Sequence, residues 1–228
     1  MLIIHGGGWT IGRRDDERQQ NIGTTLASHG YVAMSIDYVL ASKTNATWPQ
    51  NLYDCKTAVR WLRKNAARLQ IDPNRIGVIG GSAGGQLAAM VTLNTADDQL
   101  DPAGPYREYS CRVICGVDLY GPAELLTWRD LVMIGKTRAE APEIYRIASP
   151  INYVRSNSPP LLIIHGTGDK TVPVKQSELF AAALQKAGAT HELIIVPGAP
   201  HSFDLQPSQR DLRPAVLGFF DKYLGIQK

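Results

Sequence analysis

Gly80-Gly81-Ser82-Ala83-Gly84 constrains this chain more than any other stretch. The apolar run Ile76-Gly77-Val78-Ile79 precedes it, and the helix-prone run Gln86-Leu87-Ala88-Ala89-Met90 follows it. The order is strand, tight turn, helix, with a serine at the apex. A serine in that position sits in a strained turn. Side chains two residues either side would collide with it and with the neighbouring strand, so glycine is needed at both flanks. The spacing G-x-S-x-G also arises by chance in a chain with 21 glycines. The strand before it and the helix after it are what give it meaning.

The same alternation runs along the rest of the chain. Strands are expected at Leu2–His5, Tyr31–Asp37, Arg75–Ile79, Val113–Leu119, Leu161–His165 and Glu192–Val196. Helices are expected over Asp15–His29, closed by Gly30, and from Pro49 onward with Leu52, Val59, Leu62 and Leu69 on one face. Two more follow, from Val174 to Lys186 capped by Gly188, and over Leu212–Tyr223. The strands are apolar throughout rather than alternating, as in a mostly parallel sheet covered on both faces. Such a chain predicts a three-layer α/β sandwich. One long irregular insertion stands out, from Gly121 to about Pro160, carrying Trp128, Met133, Tyr145 and Tyr153. It is expected to lie over the carboxyl ends of the strands as a small lid, too short for a separate cap domain.

Composition narrows the partners. The 228 residues suffice for a single domain, 1–228, with a sizeable core. The net charge is only +3 and Lys and Arg are dispersed, which argues against a nucleic-acid partner. No apolar stretch reaches membrane-spanning length, so no membrane partner is expected. Leu2-Ile3-Ile4 is too short for a secretory leader, and the compartment stays unassigned. Three cysteines, Cys55, Cys111 and Cys115, do not make a disulfide framework. On one strand, Cys111 and Cys115 would be about 13 Å apart, beyond disulfide reach, so they read as small buried apolar residues.

Serine is a weak nucleophile and needs a base, and the base needs a carboxylate to hold it. A serine elbow between strand and helix is characteristic of the α/β-hydrolases, where the order along the chain is Ser, Asp or Glu, His. Asp169 stands in His165-Gly166-Thr167-Gly168-Asp169-Lys170 after one strand, and His201 in Pro197-Gly198-Ala199-Pro200-His201-Ser202-Phe203 after the last. Ser82, Asp169 and His201 are therefore the candidate catalytic residues. The competitors fit less well. His29 and His191 read as surface residues, and His5 and His165 as organisers of their loops. Asp37 is too early in the chain, Asp118 is mid-strand, and Asp204 reads as solvated.

His5-Gly6-Gly7-Gly8-Trp9 follows the first strand. Acyl transfer builds negative charge on a carbonyl oxygen, and backbone N–H groups aimed there stabilise it. Gly7 and Gly8, with Ala83, are the candidate oxyanion-hole donors. A phosphate loop is the poorer reading, because its lysine and Ser/Thr are missing. No metal and no organic cofactor is called for.

With these motifs in hand, the chain resembles a serine carboxylesterase of the α/β-hydrolase superfamily. Asp54-Cys55-Lys56-Thr57-Ala58-Val59-Arg60-Trp61-Leu62 carries the same likeness. Ala148-Ser149-Pro150-Ile151 and Asp169-Lys170-Thr171-Val172-Pro173 resemble the bifunctional feruloyl and acetyl xylan esterases more narrowly. The resemblance implies hydrolysis of short acyl esters, small or polysaccharide-linked, including acetyl or feruloyl esters of plant xylan. A kynurenine-formamidase-like amidase or a peptidase on the same residues, or an inactive binding module, are the alternatives. Family members carry two strands before the H-G-G-G strand, and the sheet is expected to lack them here. Tyr31–Asp37 would then be an apolar edge without lysine or proline, open to pairing in a homo-oligomer.

Overall fold

The computed structural model describes residues 1–94, 98–100 and 104–225. Six strands form one sheet: β1 (Leu2–Ile4), β2 (Met34–Ile36), β3 (Gly77–Gly81), β4 (Cys115–Leu119), β5 (Leu161–Gly166) and β6 (His191–Val196). Their order is β2-β1-β3-β4-β5-β6, and every pairing is parallel. The helices are α1 (Glu17–Ser28), α2 (Gln50–Lys64), α3 (Ala66–Leu69), α4 (Ala83–Leu93), α5 (Pro142–Ile147), α6 (Lys175–Ala187) and α7 (Arg213–Leu224).

The continuous apolar strands explain the layering. Neighbouring residues of a strand point to opposite faces. Ile3, Ile79, Val117, Leu162 and Ile164 pack with Ile22 and Leu26 of α1 and with Val216, Phe219 and Phe220 of α7. On the other face, Leu2, Ile4 and Val78 meet Leu52, Val59 and Leu62 of α2 and Leu87 and Val91 of α4. Further along that face, Leu161 and Ile163 meet Phe180 and Leu184 of α6. The expected three-layer sandwich is the observed one.

Several boundaries differ, each for a local reason. The edge strand is three residues rather than the seven of Tyr31–Asp37, because its partner β1 is equally short and pairs only Met34 to Ile36. The strand into the serine turn runs on to Gly81, since Gly80 and Gly81 pair with Asp118 and Leu119 of β4. The long helix after Pro49 breaks at Asn65, whose backbone N–H and side-chain amide both donate to the Trp61 carbonyl. Cys111 precedes β4 instead of lying in it and is only partly buried, whereas Cys55 and Cys115 are buried.

The insertion is neither wholly irregular nor alone. It contains α5 and a 3-10 turn at Pro150–Tyr153. The buried Tyr145 hydroxyl donates to the Lys136 carbonyl at 2.9 Å and accepts from the Leu131 N–H at 2.7 Å. A second long connection runs over 94–114, between α4 and β4. Side chains of α2 hold its described parts: buried Lys56 donates to Asn94 and to the Leu100 carbonyl, and Arg63 to the Ser110 and Arg112 carbonyls. Anchors of this kind leave no periodic signal, so sequence pattern alone passes over the segment.

Two contacts lock α4 to the sheet and yield predictions. A Cβ on Gly84 would lie 2.2 Å from the Ile4 carbonyl oxygen and 2.5 Å from that of His5. Gly84→Ala should cost about 3 kcal/mol or more in urea unfolding, since backbone cannot yield as a side chain does. Gly218→Ala, where nothing lies within 4 Å, should be neutral or stabilising.

The second is buried Asp118, packed so closely on α4 that a Cβ on Gly85 would lie 2.2 Å from its Oδ1, which accepts the Gly121 N–H at 2.8 Å. Its Oδ2 has no partner among the described residues. Burial pushes its pKa from 3.8 up to about 6, against the pull of the Gly121 N–H and of His165. The folded state therefore holds this proton more tightly than the unfolded chain, and stability falls as pH rises between those two values. Once ionised, the group costs about 3 kcal/mol. Asp118→Asn should gain stability relative to the parent at pH 8 compared with pH 4, read from paired urea melts. A gap that does not change with pH would show that the carboxyl is not perturbed.

Candidate active site

Ser82 joins β3 to α4 with φ 57° and ψ −122°, a backbone conformation that non-glycine residues rarely hold. Its surroundings over-determine it. A Cβ on Gly80 would lie 2.1 Å from the Gly84 carbonyl oxygen, so the two ends of the turn approach backbone to backbone. The Ser82 N–H donates to the Leu119 carbonyl at 2.8 Å, and its carbonyl accepts the Gln86 N–H at 3.0 Å. The turn is thus tied to β4 on one side and to α4 on the other.

The loops after β5 and β6 bring the other two residues to this apex. His201 Nε2 lies 2.9 Å from Ser82 Oγ, and His201 Nδ1 lies 2.6 Å from Asp169 Oδ2. A carboxylate accepts only, so Nδ1 carries the proton and Nε2 is left to accept from the serine hydroxyl. The two loops are packed together. The Gly168 N–H donates to the Ala199 carbonyl at 3.0 Å and the Gly198 N–H to Thr167 Oγ1 at 2.8 Å. A Cβ on Gly166 would lie 2.1 Å from the Ala199 oxygen. The separation of Asp169 and His201 is therefore set by backbone contact.

Asp169 has its side chain fully buried. Burial alone would raise its pKa. Hydrogen bonds from His165, His201 and the Val172 and Thr171 N–H groups outweigh it and hold the carboxyl well below the usual carboxylate range. Thr171 and Val172 donate to Oδ1 at 2.8 and 2.9 Å, which leaves Oδ2 facing the two imidazoles. The group is a fixed anion beside His201.

The H-G-G-G-W run folds back against the serine turn. A Cβ on Gly6 would lie 3.3 Å from Ser82 Cβ and 2.8 Å from the Gly81 oxygen. Gly7 and Gly8 have φ of 115° and 58°, and the Gly7 carbonyl accepts from Thr10 and Ile11. The N–H groups of Gly7, Gly8 and Ala83 meet no acceptor among the described residues. Buried Trp9 donates to Gln86 Oε1 at 3.1 Å, and Gln86 Nε2 donates to the Ala148 carbonyl at 2.8 Å. One glutamine of α4 thereby joins the glycine run to the insertion.

Several of the competing residues are engaged with other partners. Asp37 pairs with Arg14, and Asp204 accepts the Gln206 N–H at 2.6 Å. His5 stacks on Tyr38 with ring centroids 4.3 Å apart, and its Nδ1 sits 2.6 Å from the Gly6 carbonyl oxygen. His29 is half-buried rather than a surface residue, with Nε2 2.9 Å from Asp221 Oδ2. Sequence reasoning passed over Tyr120, whose hydroxyl donates to the Phe203 carbonyl at 2.6 Å and whose ring presents edge to face with His201, centroids 5.1 Å apart. Its place at the carboxyl end of a central strand was the available signal.

Esterase LipQ of Mycobacterium tuberculosis is 32% identical over 221 residues, 92% of this chain and 51% of the relative. The chain spans about half the length of the mycobacterial relatives it matches. A solved structure described as a truncated form of carbohydrate esterase from gut microbiota superposes with a TM-score of 0.89 at 29% identity, covering 98% of this chain and 85% of that one. An acetyl ester-xyloside bifunctional hydrolase from Caldicellulosiruptor lactoaceticus gives a TM-score of 0.79 at 29% identity, covering 100% and 84%. The BD-FAE family profile matches residues 1–184, and with a parallel six-stranded sheet wound in this order the chain belongs to the BD-FAE family of α/β-hydrolases.

Proposed function

We propose that this chain is a serine carboxylic ester hydrolase acting on short acyl esters, with acetyl or feruloyl groups on plant xylan as the natural class. One observation carries the reading: the unbroken hydrogen-bond chain from Ser82 through His201 to Asp169. In the mechanism, Ser82 Oγ attacks the ester carbonyl while His201 Nε2 takes its proton. Asp169 keeps the imidazole in the reactive tautomer and stabilises the imidazolium. The oxyanion is received by the N–H groups of Gly7, Gly8 and Ala83. His201 returns the proton to the leaving alcohol, and water hydrolyses the acyl-enzyme with the same base. The names of the similar proteins, an esterase, a carbohydrate esterase and an acetyl ester-xyloside hydrolase, support an acyl group on a sugar as substrate.

Ser82→Ala and His201→Ala should each remove nearly all hydrolysis of p-nitrophenyl acetate with unchanged circular dichroism, because the three residues act as a unit. Asp169→Asn should lower kcat by about 10⁴ by favouring the wrong tautomer. Near-parental kcat in Asp169→Asn would mean that another group orients the histidine.

The short insertion, with Tyr145 and Met133 turned into the core, supports a shallow acyl site. Acetyl and butyryl esters should therefore exceed palmitoyl esters in kcat/KM across a p-nitrophenyl series. Methyl ferulate, acetylated xylan and N-formylkynurenine complete the panel. A preference for palmitate points to a lipase, and turnover of N-formylkynurenine alone to an amidase.

A further inference from the structure

The fully buried His165, at the end of β5, reaches the same carboxylate oxygen as His201. Its Nε2 lies 3.2 Å from Asp169 Oδ2 and 2.9 Å from the Val172 carbonyl oxygen. Its Nδ1 lies 2.7 Å from Ser177 Oγ on α6. The Val172 carbonyl can only accept, so Nε2 carries the proton and Nδ1 accepts from the serine hydroxyl. Both ring nitrogens of this imidazole are engaged: Nδ1 by Ser177, and Nε2 by the Val172 carbonyl, with the Asp169 carboxylate oxygen only 3.2 Å away. A histidine satisfied by Ser177 and Val172 alone would be ordinary core packing; the shared oxygen is what goes beyond it.

We infer that His165, oriented by Ser177, is a positioning residue that fixes Asp169 and limits how much negative charge its Oδ2 presents to His201. The inference rests on the proposed roles of Ser82, His201 and Asp169. A carboxylate that already accepts one N–H is a weaker partner for a second. With the His165 donor gone, Oδ2 would hold the His201 imidazolium more tightly, and His201 would give up its proton only at higher pH. Among the described residues, the other ionisable groups facing this cluster are Asp118 of β4 and Tyr120 just beyond it, Arg18 from α1 and Asp204 beyond His201, and all are retained in the variants below. Sequence could not reveal this arrangement, because Ser177 lies outside every motif and meets His165 only once α6 is docked.

The test is the rate of Ser82 labelling by a fluorophosphonate between pH 5 and 8. It reports on the nucleophile whichever ester is the natural substrate. In His165→Phe the acid limb should move up by about half a pH unit, which is about threefold slower labelling on that limb. Ser177→Ala should shift it the same way by less, and His165→Gln, which restores an N–H donor near the Nε2 position, should bring it back toward the parent. Ser177→Ala carries the test if His165→Phe fails to fold. Acid limbs that superimpose on the parent's, or a uniform loss at every pH without a moving limb, would overturn the assignment. No labelling of the parent protein would instead overturn the roles given to Ser82 and His201, a result that ester turnover and Ser82→Ala read separately.

Discussion

The backbone approach of Gly80, Gly84 and β1 is the constraint on which the rest of this site depends. The Ser82 conformation is one that the chain would leave if it could, at a cost of about 1–3 kcal/mol. It persists because β3, α4 and β1 meet where only glycine fits: a Cβ at either position would fall within about 2.2 Å of a carbonyl oxygen. The same crowding brings the H-G-G-G run against the serine turn. The proposed nucleophile and the candidate oxyanion donors are therefore placed by one steric event rather than by two independent loops.

A second tier of contacts turns that geometry into chemistry. Asp169 is held ionised inside the protein by four donors, two from the backbone and two from histidines. A buried carboxylate with fewer donors holds its proton more tightly: burial raises the pKa of Asp118, which has one donor and, among the described residues, an unpartnered oxygen, to about 6. The contrast lies in the loops. Asp169 sits where the chain turns back over itself and offers N–H groups, while Asp118 sits inside a strand whose own N–H groups are spent on pairing. Two aspartates with the same side chain thus acquire opposite proton affinities from their backbone settings.

The insertion and the 94–114 connection are the parts that sequence pattern described least well. Both are held by side chains reaching for backbone carbonyls: Gln86 to Ala148, Tyr145 to Lys136, Lys56 to Leu100, Arg63 to Ser110. Such contacts join residues far apart in the chain and have no period. The strands and helices were legible for the opposite reason. Their signals are local: continuous apolar runs, a glycine after the helix, a proline before it. Where boundaries moved, a neighbour moved them, as with β2, trimmed to the three residues that β1 can pair.

Ser82, Asp169 and His201 could be picked from sequence because each follows an apolar strand in a glycine-rich loop, and a parallel sheet delivers all such loops to one edge. The sequence by itself also determined the three-layer order and the glycine spacing that makes the serine turn possible. Only the tertiary structure decided the distances within the Ser82–His201–Asp169 chain, which depend on the β5 and β6 loops packing at Gly166 and Ala199. It alone decided that His165 shares the Asp169 oxygen, that Tyr120 lies against His201, and that Gln86 joins the glycine run to the insertion. Each of these joins side chains from elements distant in sequence, and their meeting is fixed by how helices dock on the sheet rather than by any local preference of the chain.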